Sequence, residues 1–139
     1  MHGGRSMGEV HVRVRLINAF DQALVRRGVL TPDRVRSCEV DAFVDTGSSR
    51  TVLPAEVVER LGLAIVGQLS VGYADGREEA VGMTEALTVE IDGRETVDDA
   101  LVLGDEVLIG QTVLEKLNLL VDCEGQRLIP NPRRPVTRV

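Results

Sequence analysis

Val44-Asp45-Thr46-Gly47-Ser48-Ser49, running on into Arg50-Thr51-Val52-Leu53-Pro54, is the stretch on which the reading of this chain turns. The preceding residues, Cys38 to Val44, alternate like a strand, and the pattern breaks abruptly at Gly47, where a backbone can turn tightly or approach another group closely. A strand therefore delivers the Asp45 carboxylate into a loop. The hydroxyls of Thr46, Ser48 and Ser49 stand within reach to orient that carboxylate, as acid–base chemistry requires. An ordinary Asp-Thr-Gly turn at a strand end is the structural alternative, since Asp, Ser and Gly are common turn residues. Against it, the motif is embedded in apolar sequence rather than at a polar loop tip, and a second signal lies downstream.

That second signal is Glu106-Val107-Leu108-Ile109-Gly110, an apolar strand ending at Gly and passing directly into an amphipathic helix over Gln111 to Asn118. The two halves of the chain share one order of parts: strand, Gly-terminated loop, short helix. In the first half the helix is Ala55 to Leu61, opened by Pro54 and stopped by Gly62. Between the halves the sequence predicts strands at Ala64–Tyr73, Ala80–Met83, Ala86–Ile91 and Thr96–Leu103, with Asp-Gly turns at Asp75-Gly76 and Asp92-Gly93. Upstream, Val10, Val12, Val14 and Leu16 form one face of a half-buried strand, and Asp21 to Arg27 forms a short helical turn before Gly28. Downstream, Leu119–Asp122 and Gln126–Ile129 form a hairpin about Glu124-Gly125.

Composition narrows the function. Hydrophobic residues are 43 % of the chain but aromatics only 2 %, so the core is built from Val, Leu, Ile and Ala, which favours strands. One domain over residues 9–130 is expected, with residues 1–8 a flexible end or tag remnant and 131–139 a flexible tail. A net charge of −6 without a basic, aromatic-bearing stripe excludes a nucleic-acid binder. No apolar run is long enough for a membrane span and no signal-peptide core is present, so a cytoplasmic protein is expected. Cys38 and Cys123 make no disulfide framework, and with His2 and His11 they share no metal-type spacing; neither metal nor organic cofactor is expected.

Asp45-Thr46-Gly47-Ser48, the hairpin Gly72-Tyr73-Ala74-Asp75-Gly76-Arg77 and Leu108-Ile109-Gly110 followed by a helix, in that order, resemble the retroviral-type (retropepsin-like) aspartic proteases, in particular their small single-domain bacterial members. The resemblance implies an all-β fold, a mostly antiparallel closed barrel with one or two short helices. It implies an aspartic-type endopeptidase acting as a homodimer on a peptide or protein substrate, with Asp45 as the catalytic acid/base. By the same resemblance, Thr46, Gly47 and Ser48 support the catalytic loop; Gly47, Ser49, Tyr73, Ala74, Asp75 and Gly76 contact substrate, the last four as a flap; and Leu108, Ile109 and Gly110 pack beneath the site. Asp-Thr-Gly occurs once, so a pair of carboxylates requires two chains. The chain departs from the retroviral pattern at Ser49 and Gln111, where those members commonly carry a pairing Asp and Arg, and in its charged flap. Two other readings stand beside this one: a catalytically inactive protease-like module for dimerisation or peptide binding, and a structural β domain carrying a fortuitous Asp-Thr-Gly.

Overall fold

The computed structural model describes residues 9–133. Among the described residues, eleven strands and three short α-helices make the structure predominantly β. Strand β1 (Val10–Asn18) leads through helix α1 (Ala19–Arg26) and a 3₁₀ turn (Pro32–Arg34) to β2 (Ser37–Asp45). Then follow β3 (Thr51–Leu53), α2 (Ala55–Leu61), β4 (Ile65–Gly72), β5 (Glu78–Thr84), β6 (Leu87–Ile91), β7 (Arg94–Asp98) and β8 (Ala100–Val102). The chain closes with β9 (Val107–Gly110), α3 (Gln111–Leu117) and the separate hairpin β10 (Leu119–Asp122) and β11 (Arg127–Pro130).

Nine strands form one sheet in the order β4-β5-β8-β3-β9-β2-β1-β6-β7. Most pairings are antiparallel; β2 with β9 and β3 with β8 are parallel. The hydrogen-bonded order is linear, so the expected barrel closure is not formed in the protomer. The sheet's two end strands are not paired with each other: β4 belongs to an exposed hairpin, while β7 is met by α3 instead of a strand. Lys116 Nζ donates to the Val97 carbonyl at 2.8 Å, and Arg94 Nη1 donates to the Leu117 carbonyl at 2.7 Å.

Three further differences from the sequence reading have physical causes. The helix count is three rather than one or two, because α1 is a full helix: the Asn18 side chain caps it, accepting from the Asp21 N–H at 2.9 Å. The Thr96–Leu103 segment is split into β7 and β8 at Asp99, since β7 pairs with β6 whereas β8 crosses to β3 and β5. The expected flexible ends fall mainly on residues 1–8 and 134–139, outside the described residues; within the rest, the Asn131 N–H donates to the Asn118 carbonyl at 3.0 Å. Helix α2 stops at Gly62 as expected, and α3 ends one residue short of the expected bound, at Leu117; Gly62 and Asn118 both cap in the left-handed conformation.

Aliphatic side chains fill the interior. Leu16, Leu53, Leu61, Leu87, Ile91 and Ile109 are among the largest fully buried ones. Asp21 is buried as well, and Arg36 satisfies it: the Arg36 backbone N–H, Nε and Nη2 all donate to its carboxylate at 2.9–3.0 Å. The Arg36 hydrogen bonds hold that carboxyl below its ordinary range and tie α1 to the approach to β2.

Candidate active site

Asp45 is the last residue of β2, whose buried side chains, Ala42 and Val44, point into the core. Asp45 shares the opposite, half-exposed face with Phe43. The loop after it is clamped from several sides. The Gly47 N–H donates to Asp45 Oδ1 at 2.9 Å, and the Ser48 N–H to the Asp45 carbonyl at 3.2 Å. Ser48 Oγ accepts from the Arg50 N–H at 3.2 Å and donates back to the Arg50 carbonyl at 3.3 Å. The carboxylate is thus oriented by a backbone amide, not by the hydroxyls the sequence suggested. Thr46 and Ser49 are exposed, and Ser48 spends its hydroxyl on the backbone of Arg50.

Gly110 explains how the second half of the chain takes part. Strand β9 lies between β2 and β3, pairing Val44 with Ile109, Asp45 with Gly110, and Val52 with Leu108. A Cβ at Gly110 would lie 2.7 Å from the Ser48 carbonyl oxygen and 2.8 Å from both the N and O of Arg50. All three are backbone atoms without room to retreat, so only glycine lets the loop rest on this strand. The Gln111 N–H then donates to the Ser48 carbonyl at 2.7 Å, fastening the loop to the start of α3.

On the Asp45 face the strand register draws an apolar row across the sheet. His11 pairs with Phe43, Phe43 with Leu108, Leu108 with Val52, Val52 with Leu101, and Leu101 with Met83. Members of the row are mostly half-buried rather than sealed in the core. Leu108 therefore belongs to the surface beside Asp45, whereas Ile109, one residue on, is fully buried.

The turn Tyr73 to Arg77, between β4 and β5, stands apart from this assembly. Its bonds are local: the Tyr73 N–H to the Arg77 carbonyl at 2.8 Å, the Gly76 N–H to the Tyr73 carbonyl at 2.9 Å, and Arg77 Nε to Asp75 at 2.6 Å. The Arg77 guanidinium also sits 4.8 Å from the centre of the Tyr73 ring. Hydrogen bonds from the Arg77 backbone and side chain hold the Asp75 carboxyl below its ordinary range. The Tyr73 hydroxyl donates to Glu79 at 2.7 Å, which raises its pKa. None of these bonds reaches the Asp45 loop, so the structure unites Asp45 through Ser49 with Leu108–Gly110 but leaves Tyr73, Ala74, Asp75 and Gly76 on a separate projection.

Two acidic residues outside the sequence-predicted site support the loop. Thr51 Oγ1 donates to Asp98 at 2.8 Å, and Arg50 Nη1 donates to Asp99 at 3.3 Å and to Met83 Sδ at 3.4 Å. The adjacent carboxylates Asp98-Asp99 were the available signal, but only the crossing of β7 into β8 brings them to β3. Among the described residues no cluster of three or more His, Cys, Asp or Glu side chains is arranged to hold a metal ion, and no helix is long and apolar enough to cross a membrane.

A family model described as gag-polyprotein putative aspartyl protease matches residues 34–116. The matched span runs from the approach to β2 through the Asp45 loop, the β4–β5 hairpin and β9 into α3. A search of curated proteins finds no significant match.

Proposed function

The chain belongs to the aspartyl protease family whose model spans residues 34–116, and from that premise we propose that it is an aspartic endopeptidase whose active form is a homodimer sharing two Asp45 carboxylates. The observation that carries the reading is a single Asp-Thr-Gly carboxylate presented on a half-exposed sheet face, on a loop that Gly110 seats by backbone contact. One such carboxylate per chain requires a second chain for a dyad.

Two carboxylates about 3 Å apart share one proton, and their titration belongs to the pair. The ionised member takes a proton from water as the water oxygen bonds to the scissile carbonyl carbon. The protonated member donates to the carbonyl oxygen. Collapse of the tetrahedral intermediate breaks the C–N bond as the amine nitrogen receives a proton. Thr46 and Gly47 line this site, and Gly47 and Ser49 offer backbone to an extended substrate. The Tyr73–Gly76 turn closes over that substrate, adding strand-like hydrogen bonds and excluding water. The row Phe43, Leu108, Val52 and Leu101 favours apolar substrate side chains, and no cofactor takes part. The neutral pair Ser49 and Gln111, replacing charges that join retroviral dimers, favours a second reading, a protease-like peptide-binding module.

Asp45→Asn tests the proposal. A peptide library cleaved by the wild type and sedimentation at micromolar protein are the two measurements. We expect a dimer, and cleavage reduced by about a thousandfold in the variant with folding retained. Undiminished cleavage by Asp45→Asn, or cleavage by a strict monomer, would falsify the mechanism.

A further inference from the structure

Arg50 is held in an unusual way for a residue beside a reactive carboxylate. Its backbone is fixed by Ser48 Oγ at both its N–H and its carbonyl, and it rests against Gly110. Its guanidinium is anchored through one nitrogen: Nη1 alone meets both Met83 Sδ and Asp99 Oδ1. Among the described residues nothing meets Nε or Nη2, so the edge of the fork that binds carboxylates through two parallel N–H donors stays open. The side chain is 41 % exposed.

Its placement relative to Asp45 follows from the register. Asp45 lies on the same sheet face as Phe43, two residues before it. Arg50 precedes Val52 by two residues and reaches Met83, which lies in the same row as Val52 and Leu101. Phe43 and Val52 both pair with Leu108, so Asp45 and Arg50 straddle β9 on one face. Asp45 pairs with Gly110, and the Arg50 backbone packs onto that same glycine. The two backbones are therefore two strand spacings of about 4.8 Å apart, which an extended peptide covers in about three residues at ~3.3 Å each.

We infer that Arg50 is a specificity-determining residue, reading a carboxylate side chain of the substrate about three residues from the scissile bond through its open Nε–Nη2 edge. The inference rests on the peptidase reading above and names the substrate class that this site selects: peptides apolar over the Phe43–Leu108–Val52 row and acidic beyond it. In a two-fold dimer each protomer supplies one Arg50, so an acidic residue is read on either side of the cleaved bond. Asp99 holds the guanidinium in position without filling its binding edge.

The test uses pairs of peptides, drawn from sequences the wild type cleaves, differing only by Glu or Gln about three residues from the cleaved bond. We expect the wild type to prefer Glu by about ten- to hundredfold in kcat/KM, the range of a charge-assisted hydrogen bond. Arg50→Gln abolishes the preference, and Arg50→Glu transfers it to a third peptide carrying Lys at the same position. Each preference is a ratio within one preparation, so a partly unfolded variant does not distort it. A purely structural Arg50 would lower cleavage of both peptides alike; an unchanged Glu-to-Gln ratio in Arg50→Gln overturns the inference and leaves the peptidase standing. Binding of the same fluorescent pairs to Asp45→Asn gives the second readout, with library peptides serving if none is cleaved. Glu-selective binding that Arg50→Gln removes, without cleavage by the wild type, supports the inference and overturns the peptidase. Loss of both cleavage and selective binding overturns both.

Discussion

The Asp45 loop and the Tyr73–Arg77 turn are both short, polar and glycine-bearing, yet they are held by opposite kinds of contact. The first is fixed by residues far away in sequence: Gly110 beneath it, the Gln111 amide on its Ser48 carbonyl, and Asp98 and Asp99 on the residues that follow. The second is fixed by its own neighbours; β4 is exposed over most of its length and β5 over the three residues nearest the turn. The register of β5 with the rest of the sheet passes through one pair, Met83 with Leu101. The Asp45 carboxylate is therefore held by non-local packing. The projecting turn keeps its shape through local bonds while remaining able to open without unfolding the core.

Breaking the rigid side of this contrast has the largest expected effect. Gly110→Ala forces a methyl group against three backbone atoms and costs about 3 kcal/mol, seen as a lower denaturation midpoint in urea. A midpoint matching the wild type would show that the loop does not rest on Gly110 as described. Thr51→Val leaves Asp98 without its partner while preserving shape, for a loss of about 1 kcal/mol by the same measurement. In the turn, Gly76 holds φ at +87°. Gly76→Ala strains that position by about 1 kcal/mol, and we expect faster amide exchange confined to β4 and β5. Equal acceleration in β2 and β9 would erase the distinction between the two regions.

The smallest effect is one of pH. Asp75 has a depressed pKa, so its contribution to turn order is present above the ordinary value of 3.8 and is lost as pH falls through the lower folded value. Tyr73 has a raised pKa, so its bond to Glu79 is intact below 10.0 and is lost as pH rises through the higher folded value. Protection of the Gly76 and Arg77 amides, taken relative to an unstructured peptide at the same pH, should fall at both limits. Tyr73→Phe should remove the alkaline limit alone, with the urea midpoint of the whole protein unchanged. An alkaline limit that survives in Tyr73→Phe would assign it to another group.

Legibility from sequence followed the range of the interactions. The Asp92-Gly93 turn, the α2 stop and the alternation of β1 were readable because each is set by residues within a few positions of one another. Asn18 as a helix cap was equally local, and was missed because the strand pattern of β1 continues into it. The break at Asp99 was not read: Asp98-Asp99 interrupts the β-prone run from Thr96 to Leu103, but the two pieces part because different strands claim them. The Asp45 loop was located by its motif; of its hydroxyls, Ser48 bonds the loop backbone at Arg50, and the carboxylate takes the Gly47 amide. Choosing between a backbone amide and a side-chain hydroxyl for one carboxylate depends on loop geometry to within an ångström.

The amino-acid order alone determined that this is a β protein with an aliphatic core, a lone Asp-Thr-Gly and a glycine-ended strand ahead of a short helix. Those features depend on residue type and on periodicity along the chain. The fold decided that Gly110 carries the Asp45 loop, that Leu108 faces outward beside it while Ile109 is buried, and that Arg50 shares the face of Asp45 with one edge of its guanidinium open. Each of these depends on which strands become neighbours, and that is settled by burying apolar surface across the whole chain at once.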